Sequence, residues 1–384
     1  MKILAIDISG KVYKYDEALY RCIDEQMPSI RDSFIFACPY YFIGKYSTPL
    51  RLFSLVPMKY RNSSYTWKRI LKIIEGIINY IFVFFYVKKE HIDILHLQWL
   101  PFLEFCELEN LWLSCIKKVN PKLKIILTMH NIYPHDISDH KKIAYKERIS
   151  HVTQLIDAWI VHTHDAKERL FQEYDIKKSC IHIIHHGAFA PKIAIPKRQR
   201  IDNKIRFLLY ANQSLYKGTD LLIEAVELLP NTILNKIDVR IMGNTDKMLY
   251  TQYKERANQK NILWVNRFIS ESDLVQAIQD ADVLVFPYRS ITQSGALLLG
   301  IYFQKPLLVS DLPAFIETLG DEYPKSLFFK SGSNYHLANA ITEFVNNPIP
   351  FKTIKPILQT LVNNNSWGSA AFKTISLYQH IYDE

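Results

Sequence analysis

Short apolar runs of strand length alternate with helical patterns along almost the whole chain, and this alternation constrains the fold more than any other feature. In the first half the runs lie at 2–8, 33–40, 94–99, 124–130, 158–163 and 180–186. They are apolar nearly throughout rather than at every second residue, as is typical of strands covered on both faces. The pattern predicts βα units with parallel sheets, and therefore an α/β fold.

The segment 187–203 interrupts this alternation. It contains two prolines and a basic run but has no clear periodicity, which indicates a linker between domains. The alternation then restarts, with runs at 204–210, 238–243, 261–266, 282–288, 305–311 and 326–329. A chain of 384 residues is also longer than one compact core usually holds. We therefore expect two doubly wound domains that face a cleft, with ligands bound at the carboxyl ends of the strands.

The charge of the chain favours anionic partners. Its net charge of +9 and sequence pI near 9.0 suit nucleic acid, an anionic membrane surface or a phosphorylated substrate. The basic residues are spread over both halves without an RRM, helix-turn-helix or zinc signature, so nucleic acid is not expected as a partner. Five scattered cysteines without a CxxC or Cys/His spacing indicate reduced thiols and a cytoplasmic protein.

One stretch, 66–93, raises the question of membrane contact. Its most apolar part, 77–87, includes Asn79 and covers about half of the roughly 20 residues that a spanning helix needs. Cations flank this part at Lys68, Arg69, Lys72, Lys88 and Lys89. Two interpretations stay open: a buried helix of the first domain, or an interfacial helix that gives weak peripheral attachment to anionic lipid at the inner face of the plasma membrane.

The sequence YANQSLYKGTDLLIEA at 210–225 places Lys217 and Gly218 between an apolar run and an amphipathic helix. A helix N-terminus offers unpaired N–H groups and a partial positive charge, so it suits an anion. A lysine adds charge there, and a glycine lets the backbone approach the anion closely. The pattern favours a phosphate site, with a solvated lysine before a turn glycine as the alternative.

A second junction of the same kind lies within 285–311. A strand ends at Pro287, and a helix begins near Ser294 and Gly295 after the short polar side chains of Thr292 and Gln293. Two such helix N-termini in one half of the chain predict a nucleotide-type anion site.

Several motifs resemble those of the two-domain retaining glycosyltransferases of the GT-B fold, particularly family 4. The resemblance lies in LHLQWLPFLE (95–104), ILTMHNIYPH (126–135), IIHHGAF (183–189), YANQSLYKGTDLLIEA (210–225), TQSGALLLGIYFQKPLLVSD (292–311), PAFIETLG (313–320) and SWGSAAFKTISLYQHIY (366–382). It implies an acceptor-binding Rossmann-like domain at 1–190, a nucleotide-sugar-binding Rossmann-like domain at 204–365, and a C-terminal helix at 366–384 that packs back on the first domain.

The resemblance also implies an activity. It is the transfer of a hexose-type sugar from a UDP- or GDP-linked donor to a saccharide or polyprenyl-linked saccharide, in surface polysaccharide biosynthesis. The nucleotide-sugar would be a co-substrate, and neither a cofactor nor a metal is expected. Lys217 matches the family lysine that neutralises the donor diphosphate, and His130 matches a histidine near the reacting sugar. Further contacts implied on the donor side are Asn212, Ser214, Gly218, Thr292, Gln293, Ser294, Gly295 and Glu317, and on the acceptor side Asn131 and His135.

The sequence departs from the family at its paired glutamates and at an upstream arginine. The glutamates would fall at Thr292 and Gly300, or at Gln293 and Ile301, and neither pair supplies a carboxylate. No arginine precedes Lys217 in the segment ANQSLYK.

These departures leave two matters open. Retention is the family expectation, while inversion would need a general base, for which His130, His135 and Asp136 are nearest in sequence. A catalytically degenerate GT-B binding or scaffold protein is the alternative to an active transferase.

Overall fold

A computed structural model describes residues 1–26, 34–39, 49–56, 66–134, 139–191, 193 and 202–384. The chain forms two compact units, the first made of Met1–Gly187 with Trp367–Glu384 and the second of Ala188–Ser366. Two of the residues named from the sequence, His135 and Asp136, lie outside the described residues, as do 192 and 194–201 of the predicted linker.

The first unit contains a seven-stranded sheet whose neighbouring strands are all parallel. Its strands are β1 (Ile3–Ile6), β2 (Phe34–Pro39), β3 (Pro49–Leu52), β4 (Ile94–Leu97), β5 (Lys124–Thr128), β6 (Ala158–Val161) and β7 (Ile181–Ile183). Their order is β3-β2-β1-β4-β5-β6-β7, so the direction of winding reverses between β1 and β4. Helices of this unit are α1 (Tyr13–Gln26), α2 (Thr66–Glu90), α3 (Leu108–Val119), α4 (Asp139–Thr153) and α5 (His164–Tyr174).

The second unit contains a six-stranded parallel sheet. Its strands are β8 (Ile205–Tyr210), β9 (Ile237–Met242), β10 (Leu263–Val265), β11 (Val283–Phe286), β12 (Leu307–Ser310) and β13 (Phe328–Phe329), in the order β10-β9-β8-β11-β12-β13. Its helices are α6 (Thr219–Glu227), α7 (Asn231–Leu234), α8 (Lys247–Gln259), α9 (Glu271–Asp280), α10 (Gly295–Tyr302), α11 (Pro313–Leu319), α12 (Asn334–Asn346) and α13 (Phe351–Asn364). The winding reverses between β8 and β11, which brings the loops that follow these two strands to the same edge.

The predicted α/β class with parallel sheets is confirmed, and each apolar run named above contains a strand. The sequence did not predict β3. This edge strand has four residues, begins at Pro49 and includes Arg51, so it lacks the continuous apolar pattern of the buried strands. Proline is tolerated as the first residue of an edge strand because its missing N–H takes no bond from the ladder.

One face of α2 is packed into the first unit. Tyr80, Val83 and Val87 are buried, and Gly76 allows the ring of Phe102 to approach so closely that a Cβ there would lie 2.6 Å from it. The buried amide of Asn79 is hydrogen-bonded to both backbone groups of Phe53, which satisfies its polar atoms. This face therefore anchors the helix in the fold.

The C-terminal helix α14 (Trp367–Asp383) belongs to the first unit and lies against α1. The side-chain amide of Gln26 donates to the carbonyl of Gly368 at 2.8 Å. The buried hydroxyl of Tyr378 lies 2.6 Å from Nδ1 of His96, next to the central strands. The contacts of α14 thus reach into the core of this unit.

All five cysteines are free thiols. Only Cys38 is fully buried, and Cys106 is exposed. The apolar surroundings of these residues in the sequence overstate their burial, because Cys106 lies in a turn after Phe102 rather than on a strand.

Candidate functional site

Lys217 lies at the carboxyl end of β8, in a short 3-10 turn formed by Leu215–Lys217 just before α6. Its ammonium group is 5.7 Å from the ring centres of both Tyr216 and Tyr288. Burial lowers the pKa of Lys217 to about 8. In the described part of the chain no carboxylate lies within ion-pair distance of it. A desolvated cation without a protein counter-ion is a position where an external anion gains attraction.

Gly218 follows Lys217 and adopts the left-handed conformation, with φ of 69°. A Cβ here would lie 1.8 Å from the carbonyl oxygen of Pro287, in the loop that follows β11. Only glycine fits both the backbone angle and this contact. The observed demand for glycine at this position is thus met within the chain, by the close packing of the loops after β8 and β11.

The loop that carries Lys217 is held by the buried side chain of Gln213. Its amide nitrogen donates to the carbonyls of Ala211 at 2.7 Å and Met242 at 3.1 Å, and its oxygen accepts from the hydroxyl of Thr219 at 2.7 Å. These bonds tie the end of β8 to the start of α6. The position of Lys217 is therefore fixed before any ligand arrives, which is what electrostatic stabilisation requires.

Arg289 also fixes this loop. Its guanidinium forms a two-pronged ion pair with Asp220 at 2.6 and 2.8 Å, and its backbone N–H donates to the carbonyl of Tyr216 at 2.7 Å. The arginine that the sequence lacks ahead of Lys217 is thus replaced in space by one that follows β11. Because Asp220 already balances its charge, Arg289 positions the loop and contributes little net charge to it.

Two hydroxyl groups near Lys217 are buried without a hydrogen-bond partner among the described residues. They are Oγ of Ser214 and the hydroxyl of Tyr288. Burial raises the pKa of Tyr288, and the neighbouring hydroxyl of Ser294 opposes this rise. Buried polar atoms are almost always satisfied in native proteins, so unsatisfied ones beside an unpaired cation indicate a site for a polar ligand.

The N-terminus of α10 begins at the same edge of the sheet. Ser294 caps it, since its hydroxyl accepts from the N–H of Leu297 at 3.1 Å. A Cβ on Gly295 would meet only the ring of Phe189, at an ordinary 3.5 Å, so the chain itself does not require glycine there. Thr292 is buried and Gln293 is half-buried just ahead of this cap. The glycine leaves room for a group that approaches the first turn of α10.

The two positions considered for the second glutamate of the family lie on the buried side of α10. A Cβ on Gly300 would lie 2.8 Å from both Leu284 and Leu307, and Ile301 is fully buried. A carboxylate at either position would enter the core. The side chains after Gln293 therefore cannot reproduce the family pair by a simple replacement.

The other residues expected on the donor side are less closely grouped. Asn212 is exposed in the loop after β8. Glu317 is half-buried in α11, which follows β12. Both follow carboxyl ends of neighbouring or central strands, as the sequence suggested, but no printed contact joins either one to Lys217.

In the first unit, His130 lies where three neighbouring strands end. Its Nε2 is 3.3 Å from Oε1 of Gln98, which follows β4, and its Nδ1 is 3.2 Å from Nε2 of His162, which follows β6. Tyr15 of α1 packs edge-on against His130, with ring centres 4.7 Å apart. His186 and Trp367 complete this aromatic group, with ring centres 4.8 Å apart.

The histidines of this group are neutral. Burial lowers the pKa of His162 to about 4 and that of His186 to about 3, and it also lowers the pKa of His130 well below its usual value. Nδ1 of His162 lies 2.9 Å from the carbonyl of Ile184, which can only accept, so the proton of His162 is on Nδ1. Nε2 of His162 then accepts from His130, and the proton of His130 is on Nδ1. Nε2 of His130 is left as an acceptor, suited to a hydroxyl group.

A small cavity of about 20 Å³ borders this residue. His130, Asn131, Trp99 and Tyr145 are among the residues that line it. This volume is enough for a single water molecule. The structure thus brings His130 and Asn131 to one cavity, while His135 lies outside the described residues.

Reasoning from the sequence missed His162, Gln98, Tyr288 and Arg289. Three of them stand just past the end of a predicted strand, as His130 does, so their placement was a usable signal. It was not followed because each lies far from Lys217 or His130 in sequence, and only the sheet order brings them together.

Comparisons with known proteins identify the second unit. Residues 191–357 match the family described as Glycosyl transferases group 1. A curated relative is the GDP-mannose:glycolipid 4-beta-D-mannosyltransferase of Xanthomonas campestris pv. campestris, which is 23% identical over 186 residues. That match covers 48% of this chain and 49% of the relative, so the chain spans about half the length of the curated relatives it matches.

Solved structures match along nearly the whole chain. Anabaena HepE in complex with UDP superposes with a TM-score of 0.68 at 13% identity, over 99% of this chain and 100% of that one. A glycosyltransferase from Rickettsia africae gives 0.67 at 16% identity, over 99% and 98%. Sucrose-phosphate synthase from Thermosynechococcus elongatus gives 0.68 at 14% identity, over 100% and 99%. The chain therefore has the GT-B fold, and residues 191–357 of its second unit are a glycosyl transferases group 1 domain.

Proposed function

We propose that this chain is a glycosyltransferase that moves a hexose-type sugar from a UDP- or GDP-linked donor to a saccharide or lipid-linked saccharide. The observation that carries the proposal is Lys217, a desolvated lysine beside the buried, unsatisfied hydroxyls of Ser214 and Tyr288. These groups lie in a domain whose family transfers sugars.

The chemistry follows from charge. When the bond between the sugar and the diphosphate breaks, negative charge develops on the departing phosphate oxygen. A fixed cation at that place stabilises the transition state more than the ground state. In this proposal Lys217 supplies that charge, the hydroxyls of Ser214 and Tyr288 donate to phosphate oxygens, and no metal takes part.

We propose the first unit as the acceptor side. Support comes from His130, whose Nε2 is set as an acceptor by the bond between its Nδ1 and His162. The Xanthomonas relative is named for action on a glycolipid, which supports a lipid-linked acceptor and a role in surface polysaccharide or glycolipid synthesis. The free thiols support a cytoplasmic location.

For the stereochemical course we propose retention, as expected for the family the sequence resembles. Inversion is the second candidate, favoured by the beta linkage in the relative's name and by the acceptor Nε2 of His130, which could take a proton from the acceptor hydroxyl. The anomeric configuration of the product, measured by NMR, separates the two.

A nucleotide-sugar panel tests the activity. Purified protein is incubated with UDP- and GDP-hexoses, with and without a polyprenyl-linked saccharide, and released nucleotide is measured. We expect release from one donor, increased by acceptor and unaffected by EDTA. Stabilisation against heat by UDP or GDP without any release would instead favour the scaffold alternative, because a binding protein gains stability from its ligand without turnover.

Gln293 offers a prediction on donor binding. Replacing Gln293 with alanine removes a neutral hydrogen bond to the donor, which is worth about 0.5–1.5 kcal/mol, so the donor KM should rise by roughly 2- to 10-fold with little change in kcat. Gln293→Glu should not increase kcat/KM, because the partner position of the family pair is buried at Gly300 or Ile301. Steady-state kinetics with varied donor measure both effects.

The matched control is Gln252→Ala, which removes an exposed glutamine on α8. It should leave donor KM at the wild-type value. A large gain in kcat/KM for Gln293→Glu would show that the site is an impaired version of the family site, and would contradict our assignment.

A further inference from the structure

Helix α2 has two apolar faces on opposite sides. Tyr80, Val83 and Val87 belong to the face packed into the first unit. The outer face of α2 is defined by large apolar side chains that are 36% to 62% exposed: Ile70, Ile73, Ile74, Ile77, Ile78, Ile81 and Phe85. Their helical spacing forms one stripe of about 22 Å from end to end, at 1.5 Å per residue. A continuous apolar stripe of this size indicates a contact surface.

The charges of α2 point to the kind of partner. Exposed cations stand beyond the two ends of the outer face, Arg69 before it and Lys88 and Lys89 after it. The two acidic residues of α2 are engaged elsewhere, since Glu75 is buried and bonded to Lys72, and Glu90 pairs with Lys2 at 2.6 Å. The exposed part of α2 is therefore apolar and cationic, with no exposed acidic side chain.

We propose that the outer face of α2 docks on the surface of an anionic lipid bilayer, with the helix lying parallel to the membrane plane. Apolar side chains enter the boundary between headgroups and acyl chains, and the cations at both ends meet anionic headgroups. This inference rests on α2 alone and does not depend on the proposed transferase activity.

Two other occupants fit less well. In the described part of the chain α2 is the one helix long and apolar enough to cross a membrane, but a third of its apolar window is buried in the first unit. Spanning would pull Asn79 from its bonds to Phe53 and Glu75 from its bond to the N–H of Leu55. Pairing of α2 with a second copy would bring cations onto cations in either direction, without an exposed carboxylate on α2 to balance them.

Vesicle flotation tests the docking. The wild-type chain is mixed with vesicles of phosphatidylcholine alone or with phosphatidylglycerol added. We expect recovery with the anionic vesicles, reduced at high salt. Ile81→Glu should lower the partition coefficient by at least about tenfold, because a charge replaces a side chain that enters the lipid. Lys88→Gln with Lys89→Gln should weaken binding to anionic vesicles and flatten its dependence on salt.

The control is Ile143→Glu, which changes an exposed isoleucine of α4 and should bind vesicles like wild type. Circular dichroism and thermal unfolding confirm that Ile81→Glu is folded. Three results would overturn the proposal: equal recovery with neutral and anionic vesicles at all salt concentrations, equal loss in both glutamate variants, or a dimer that Ile81→Glu converts to a monomer without any vesicle binding. Retention on membranes after an alkaline wash would show a spanning helix instead.

Discussion

Replacing Lys217 with alanine is expected to lower kcat for sugar transfer by about 100- to 1,000-fold, the usual cost of losing one group that stabilises developing charge. The fold should be unaffected. Lys217 lies in a short turn, and no carboxylate among the described residues forms an ion pair with it. Removing it therefore breaks no ion pair and opens no cavity in the core.

The lowered pKa adds a pH dependence to this prediction. Burial brings the pKa of Lys217 to about 8, so the ammonium loses its proton as the pH rises through that value. A bound diphosphate favours the charged form. The affinity for UDP or GDP should then be highest below pH 8 and should fall between pH 8 and 9.5. Titration calorimetry in buffers of different ionisation enthalpy would detect the linked proton uptake.

Two variants serve as controls. Lys236→Ala removes the same charge from an exposed lysine at the amino end of β9, on the opposite edge of the same sheet, and should keep wild-type kcat. Lys217→Arg keeps the charge and should retain part of the activity. Wild-type kcat in a well-folded Lys217→Ala variant would rule out the phosphate assignment.

Mild acid is expected to unfold the first unit before the second. His96, His162 and His186 are buried with pKa values lowered to about 3, 4 and 3, whereas an unfolded histidine titrates near pH 6.5. Because their folded pKa values are depressed, the unfolded state binds more protons below pH 6.5. Each such histidine contributes a loss of up to about 1.4 kcal/mol per pH unit, so the sum reaches several kcal/mol by pH 5.

The sequence distributes these residues unequally, which makes the effect measurable. Within 188–366 the only histidine is His336, and it is exposed; the remaining histidines of the chain belong to the range of the first unit. Tryptophan is also concentrated there, with Trp264 alone in the second unit. In a Trp264→Phe variant, fluorescence reports the first unit while far-ultraviolet circular dichroism reports both. Urea unfolding at pH 7, 6 and 5 should show a falling midpoint in fluorescence.

His96→Gln provides the matching control. It removes one titrating group, so it should lower stability at pH 7 but reduce the dependence of the unfolding free energy on pH. An unfolding midpoint for Trp264→Phe that does not change between pH 7 and pH 5 would contradict the neutral, buried state of these histidines.

The class of fold could be predicted from the sequence because it depends on local patterns. Strands buried on both faces are continuously apolar, and the helices between them have amphipathic spacing, so both kinds of element are visible in a single chain. The edge strand β3 escaped prediction for the same reason, since Arg51 and Pro49 remove the continuous apolar pattern. The length of α2 was also underestimated, because the apolar criterion selected 77–87 and the helix runs from Thr66 to Glu90.

The sequence by itself determined the two α/β halves, the residue types at their strand-to-helix junctions, and the choice of Lys217 and His130, because each of these depends on neighbours in the chain. The tertiary structure decided which junctions meet. Sheet order brought Arg289 and Tyr288 to Lys217, and it brought His162 to His130 across 32 residues. It also turned Gly300 and Ile301 into the core and left one apolar face of α2 exposed. Such outcomes depend on packing between distant segments, which no local pattern of residues encodes.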